Sequence, residues 1–203
     1  VNVVSPTMGE AQEKGSSVGI EVGERDFKRL KVSSGNKLDE KNAYYFSSSY
    51  NTDGGWRDLQ DGQNLELFGK HYHKTDSGDK ITTTFLGNVL RSHVAGYLTK
   101  EKYETTPTDS GLSISDPYSN YDYFMVSSRL DSDLGNGFSL VVEPYLRYDQ
   151  SHMIAFWNTK TTPEDTTKVS TLGLKTSLTK QLEKVELTVG LDTESTKFSY
   201  KEL

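Results

Sequence analysis

From Phe138 to Tyr148 every second residue is apolar or aromatic: Phe138, Leu140, Val142, Pro144, Leu146 and Tyr148. Ser139, Glu143, Arg147 and Asp149 occupy alternate positions. Successive side chains of a strand point to opposite faces, so this segment carries one apolar face and one charged face. A soluble sandwich strand is usually about five or six residues long. A strand of about ten residues with this alternation fits the wall of a transmembrane barrel, lipid on one side and water on the other.

The same period recurs along the chain. It predicts nine strands, over about 16–24, 27–34, 43–51, 63–74, 80–91, 121–131, 138–148, 169–178 and 184–194, with no amphipathic helix between them. Three connections are short and turn-rich, at 76–79, 134–137 and 179–183. Three are long, at about 52–62, 92–120 and 150–168, and they alternate with the short ones. Short turns at one end and long loops at the other are the asymmetry of outer-membrane barrels. The predicted fold is therefore all-β, an antiparallel meander of long strands. Nine is an odd number, the last residues Lys201-Glu202-Leu203 lack a terminal aromatic, and two edges would stay unpaired in lipid. The expectation is part of a larger barrel. Pro144 in the seventh strand predicts a bulge, because a paired central strand resists proline.

Composition agrees. Hydrophobic residues make up 33% of the 203, below the roughly 45–50% (glycine included) of globular chains. Aromatics still reach 11%, with 12 tyrosines, as suits a wet lumen and interfacial aromatic girdles. No apolar run approaches the roughly 18 residues of a membrane-spanning helix. Cysteine is absent, which excludes disulfides and thiolate metal sites. With a net charge of -6 and no dense basic cluster, nucleic acid is not an expected partner.

Several segments in order resemble the TonB-dependent outer-membrane receptors. Val1-Asn2-Val3-Val4 is similar to the close of their plug domain, and 19–35 to the first hairpin of their barrel. Asp53-Gly54-Gly55-Trp56-Arg57-Asp58 and Ala95-Gly96-Tyr97-Leu98-Thr99-Lys100-Glu101-Lys102-Tyr103 resemble stretches of successive outer loops. Pro144-Tyr145-Leu146-Arg147, followed by Met153 and Phe156, and Val189-Gly190-Leu191-Asp192 resemble further recurring segments. The resemblance implies a 22-stranded type of barrel closed by an N-terminal plug, in the outer membrane of a Gram-negative bacterium. It implies uptake of a scarce nutrient, most often a ferric siderophore, energised by TonB and its inner-membrane complex. Residues 1–15 would be the end of the plug and its junction, and 16–203 the first part of the barrel. The TonB box, nearly all of the plug and the later strands fall outside this sequence. A non-transport barrel, an adhesin for example, or a soluble β-sheet binding module is the alternative.

Five groups of residues stand out as candidate sites. Trp56 and Arg57 in an outer loop could grip a carboxylate or catecholate chelate, or else Trp56 anchors at the interface and Arg57 pairs with Asp53 or Asp58. His152, Met153, Phe156 and Trp157, at the top of the seventh strand and its loop, could line a ligand vestibule or form an aromatic girdle. His71 and His73 share a face at a metal-ligand spacing, yet that face also carries Leu65 and Leu67, so interfacial residues are expected and no metal. Asp53, Asp58 and Asp61 do not follow the EF-hand pattern. Glu143 and Arg147 read as lumen-wall charges. No nucleophile elbow, P-loop or dinucleotide fingerprint occurs, so neither catalysis nor a cofactor is expected.

Overall fold

The structure, a computed structural model, describes residues 6–112, 117–154 and 164–202. Nine strands form one sheet, each antiparallel to the next in strict chain order. They are β1 (Gly15–Val22), β2 (Lys28–Lys37), β3 (Asn42–Asp53), β4 (Gly62–Lys74), β5 (Lys80–Ser92), β6 (Ser119–Gly135), β7 (Phe138–Ile154), β8 (Glu164–Gln181) and β9 (Glu186–Glu202). All nine expected strands are present. Those from β6 onward are longer than their apolar alternation indicated, with 17 or 18 residues each. The seventh loop is correspondingly shorter than the expected 150–168, since Ile154 already pairs with Glu164.

The two faces of the sheet are chemically distinct. On β8, Leu172 is 59% exposed while its neighbour Thr171 is 2% exposed. Cross-strand register gathers the large apolar residues onto the Leu172 face: Ile20, Leu30, Tyr50, Leu65 and Val89 stand in one row. That row continues through Asp122, Gln150, Lys168 and Ser199. On β9 the apolar residues sit lower, at Leu187, Val189 and Leu191. The apolar band thus crosses the strands obliquely, as a level band does on strands tilted within a barrel wall. So large a contiguous exposed apolar surface marks a face that meets lipid or a partner.

The opposite, polar face carries a short helix, α1 (Met8–Glu13). Thr7 caps it: its hydroxyl accepts from Glu10 N while Glu10 Oε2 takes the Thr7 N–H at 2.8 Å. Ala11 is fully buried against Ala43 and Tyr72, with Met8 and Tyr45 packed around them. The Tyr72 hydroxyl donates to the Pro6 carbonyl. Gly35 permits this docking, since a Cβ there would lie 2.8 Å from the Ala11 carbonyl. A second helix, α2 (Lys100–Thr105), interrupts the longest loop. Neither helix was expected, although Thr7-Met8-Gly9-Glu10 is a capping-box sequence.

The β6–β7 turn is Asn136-Gly137, both at positive φ (53° and 75°), as a two-residue hairpin of the primed type demands. The expected bulge at Pro144 does not form. Register between β6 and β7 is the same on either side of it, but the pairs Ser128–Pro144 and Arg129–Glu143 are missing from the ladder. Proline has no N–H to give β6, so the ladder opens locally without slipping. Its pairing with Leu174 on β8 is kept.

Candidate functional site

The long connections all lie at one end of the sheet, and two of them are tied together through Arg57. Arg57 Nε and Nη2 donate to the Asp109 carbonyl at 3.0 and 2.9 Å, and Nη2 also to the Ser110 carbonyl at 2.9 Å. Backbone bonds add to the tie: Asp58 N to Thr108 O and Gly96 N to Ser110 O, both 2.7 Å. Arg57 is therefore neither paired with Asp53 nor with Asp58; Asp53 Oδ1 instead accepts from Gly55 N at 2.8 Å. A planar guanidinium suits this task because its fork reaches two carbonyls at once.

Within the longer loop, α2 starts at the Thr99 cap, whose hydroxyl accepts from Lys102 N. Lys102 Nζ sits 3.1 Å from both carboxylate oxygens of Asp109. The Gly111 N–H donates to Asp109 Oδ1 at 2.6 Å. The Gly111 amide first, and the Lys102 ammonium after it, hold the Asp109 carboxyl below its ordinary pKa.

Trp56 and Arg57 open onto a cleft of about 440 Å³, lined also by Tyr97, Thr99, Lys100 and Tyr103. Tyr97 and Tyr103 are exposed and Trp56 is 44% exposed. Three aromatic rings around two cationic side chains suit a flat, oxygen-rich, anionic ligand: rings for stacking, hydroxyl and ammonium donors for its oxygens. Sequence reasoning singled out Trp56 and Arg57 but carried Tyr97, Lys100 and Tyr103 only inside a motif.

His152 belongs elsewhere. By register it lies on the apolar-face side of β7, above the apolar band. Its Nε2 is 2.5 Å from Glu164 Oε1 and 3.2 Å from the Tyr118 hydroxyl, which itself donates to Glu164 at 2.9 Å. It helps line a cleft of about 760 Å³ with Lys28, Asp61, Arg91 and His93, separate from Trp56 and Arg57. Tyr118 and Glu164 were missed because neither lies in an alternating run. Trp157 and Phe156 lie outside the described residues, as do the plug-like residues 1–4.

Arg147 and Glu143 both point to the polar face. Arg147 Nε pairs with Asp149 at 3.2 Å and not with Glu143. With Tyr121, Tyr123 and Asp149 it lines a cleft of about 410 Å³. His73 Nδ1 meets Asn42 Oδ1 at 2.8 Å at the short-turn end, and among the described residues no group of three metal-ligating side chains assembles.

No protein-family model matches this sequence, and no curated protein is similar to it in sequence. Solved structures are similar in fold. FpvAI in a complex with pyocin S2 superposes with a TM-score of 0.73 at 14% identity, covering 92% of this chain and 28% of that one. P. aeruginosa FpvA bound to a heterologous pyoverdine with iron gives a TM-score of 0.71 at 14% identity, with the same 92% and 28% coverage. The nine-stranded meander thus has the fold of the barrel part of TonB-dependent receptors. The chain spans 28% of the length of these neighbours.

Proposed function

We propose that this chain is the first part of the barrel of a TonB-dependent receptor in the outer membrane of a Gram-negative bacterium, taking up a ferric siderophore or a similar chelate. The observation that carries the reading is the sorting of the faces. One face holds an oblique band of exposed Leu, Val, Ile and Phe over nine strands, and the other holds charges and the docked helix α1. Lipid would meet the first face and the plug the second. Further wall strands would flank β1 and β9, each of which has one neighbour in the sheet. Residues 1–15 would lead from the plug, with α1 as the junction, and 16–203 would belong to the barrel.

The outer end would capture the ligand. The Trp56–Tyr97–Tyr103 cleft offers stacking rings and cations to an anionic chelate, and the similar FpvA structure holds a pyoverdine with iron. TonB, acting on the plug, would supply the energy for release inward. A transport role needs no catalytic group on this wall.

The test is uptake of defined radiolabelled ferric siderophores by cells expressing the full-length protein, with and without TonB. Accumulation of at least one chelate that stops in the TonB-deficient strain is the expected result. Binding and uptake of none would contradict the reading.

A further inference from the structure

The connection between β5 and β6 leaves and re-enters the sheet through a neck at His93 and Tyr118, which pair as an isolated bridge. Val94 N donates to the Pro117 carbonyl beside them at 3.2 Å. One side of the neck is tied to the β3–β4 loop: His93 N donates to the Asp61 carbonyl at 2.9 Å, and His93 Nδ1 lies 2.8 Å from Asp61 Oδ1. The other side is tied to β7 and β8. The Tyr118 hydroxyl donates to Glu164 Oε1 at 2.9 Å, and His152 Nε2 lies 2.5 Å from the same oxygen. The imidazole of His152 also stands edge-on to the Tyr118 ring, with centroids 5.0 Å apart. Each side of the neck is thus held by an imidazole–carboxylate pair, and both imidazoles line the cleft of about 760 Å³.

Such a pair strengthens when the imidazole is charged, because a charge-assisted hydrogen bond is roughly twice as strong as a neutral one. Glu164 is kept ionised. The Tyr118 hydroxyl first, and His152 after it, hold its carboxyl below the ordinary glutamate value, and the charge of Lys201 acts in the same direction. Charges of both signs face the histidines. Asp26 and Asp53 share the cleft with Asp61, opposed by Lys28 and Arg91, and Arg91 is itself paired with Asp122 at 2.6 Å. On β8 the diagonal neighbours of His152 are Glu164 and Lys168, with Lys201 one strand beyond. Among the described residues, the charged group bonded to each histidine is a carboxylate.

We propose that His93 and His152 form a clasp at the neck of this connection that tightens in mild acid. Protonation adds to the clasp below the ordinary histidine value of about 6.5, and that addition is lost as pH rises past it. The connection so held carries Tyr97, Lys100 and Tyr103, so the clasp sets how firmly the Trp56 cleft is formed. That consequence rests on the capture reading above and adds to it a regulation by pH.

The experiment places a spin label at position 104, an exposed site on α2, in the full-length receptor reconstituted in vesicles, with any other cysteine replaced by serine. Label mobility is read by electron paramagnetic resonance at about pH 5.5 and about pH 8, on either side of the histidine range. The mobile fraction should rise about threefold or more at the higher pH. H93Q/H152Q should give one mobile fraction at both pH values, and each single variant should keep part of the response. A label at position 183, in the β8–β9 turn at the opposite end of the sheet, should not respond. Equal wild-type mobility at the two pH values, or a full response in the double variant or at position 183, would overturn the clasp. No ligand enters the measurement, so failed siderophore uptake beside an intact response would count against the capture reading alone.

Discussion

The ring of Tyr145 lies directly over Gly173, its partner on the neighbouring strand, in the space a Cβ would need. By crossing the glycine the phenol reaches Glu194, one strand further on, and donates to it at 2.9 Å. Gly173 pairs with Glu194, so three consecutive strands are stitched in one row. The Lys175 ammonium, 5.3 Å from the ring centroid, completes the contact.

Filling that space should therefore be costly. Gly173→Ala forces the ring aside and breaks the bond to Glu194, with an expected loss of about 1–3 kcal/mol. Tyr145→Phe keeps the ring and removes only the hydroxyl, for about 0.5–3 kcal/mol, the upper end reflecting the charged acceptor. Reversible urea unfolding of the receptor in lipid vesicles measures both.

Arg57 is expected to hold loops together. Arg57→Ala removes three bonds to the Asp109 and Ser110 carbonyls, each worth about 1 kcal/mol. Amide exchange at Asp58 and Gly96 should accelerate by about tenfold or more. Arg57→Lys should not rescue it, since an ammonium lacks the fork. Unchanged exchange in Arg57→Ala would leave ligand contact as the residue's role.

Ligand capture should instead depend on the rings. Trp56→Ala and Tyr97→Ala are each expected to weaken binding of the transported ferric siderophore by about tenfold, from lost stacking and cation–π contacts. Trp56→Phe should recover part of it. Equilibrium binding to whole cells gives the numbers.

The sequence made the meander legible because nine strands keep their alternation inside the apolar band. Strand ends were underestimated where the band stops: above Tyr148, Leu172 and Leu191 the same face reads Gln150, Ser170 and Thr193, so the period remains in the backbone but not in hydropathy. Pro144 was read as a bulge because a missing donor can be absorbed by slipping or by a gap, and only the paired register distinguishes the two. The site was partly legible. Trp56 stands out as a residue type, whereas the clamp from Arg57 joins carbonyls more than fifty positions away and leaves no local signal.

Acid should loosen the long loop. The folded pKa of Asp109 is depressed by the Gly111 amide and Lys102. Its contribution is thus complete above the ordinary Asp value of about 4, falls as pH drops below it, and vanishes below the folded value. Trp56 fluorescence, in a background where every other tryptophan, Trp157 included, is replaced by Phe, should report the loosening as pH falls below about 4. Asp109→Asn should show the loosened signal at every pH.

The sorting of the two faces is tested most directly on β8 itself. This chain has no cysteine, and single cysteines at 172, 174 and 178, and at 175, 177 and 179, placed in a full-length receptor with any other cysteine replaced by serine, can carry spin labels after reconstitution. The first set should collide with oxygen dissolved in lipid and be shielded from a water-soluble nickel chelate. The second set should show no such preference for the lipid-dissolved reagent. Nickel access at 172, 174 and 178 equal to that at 175, 177 and 179 would contradict the membrane-spanning wall.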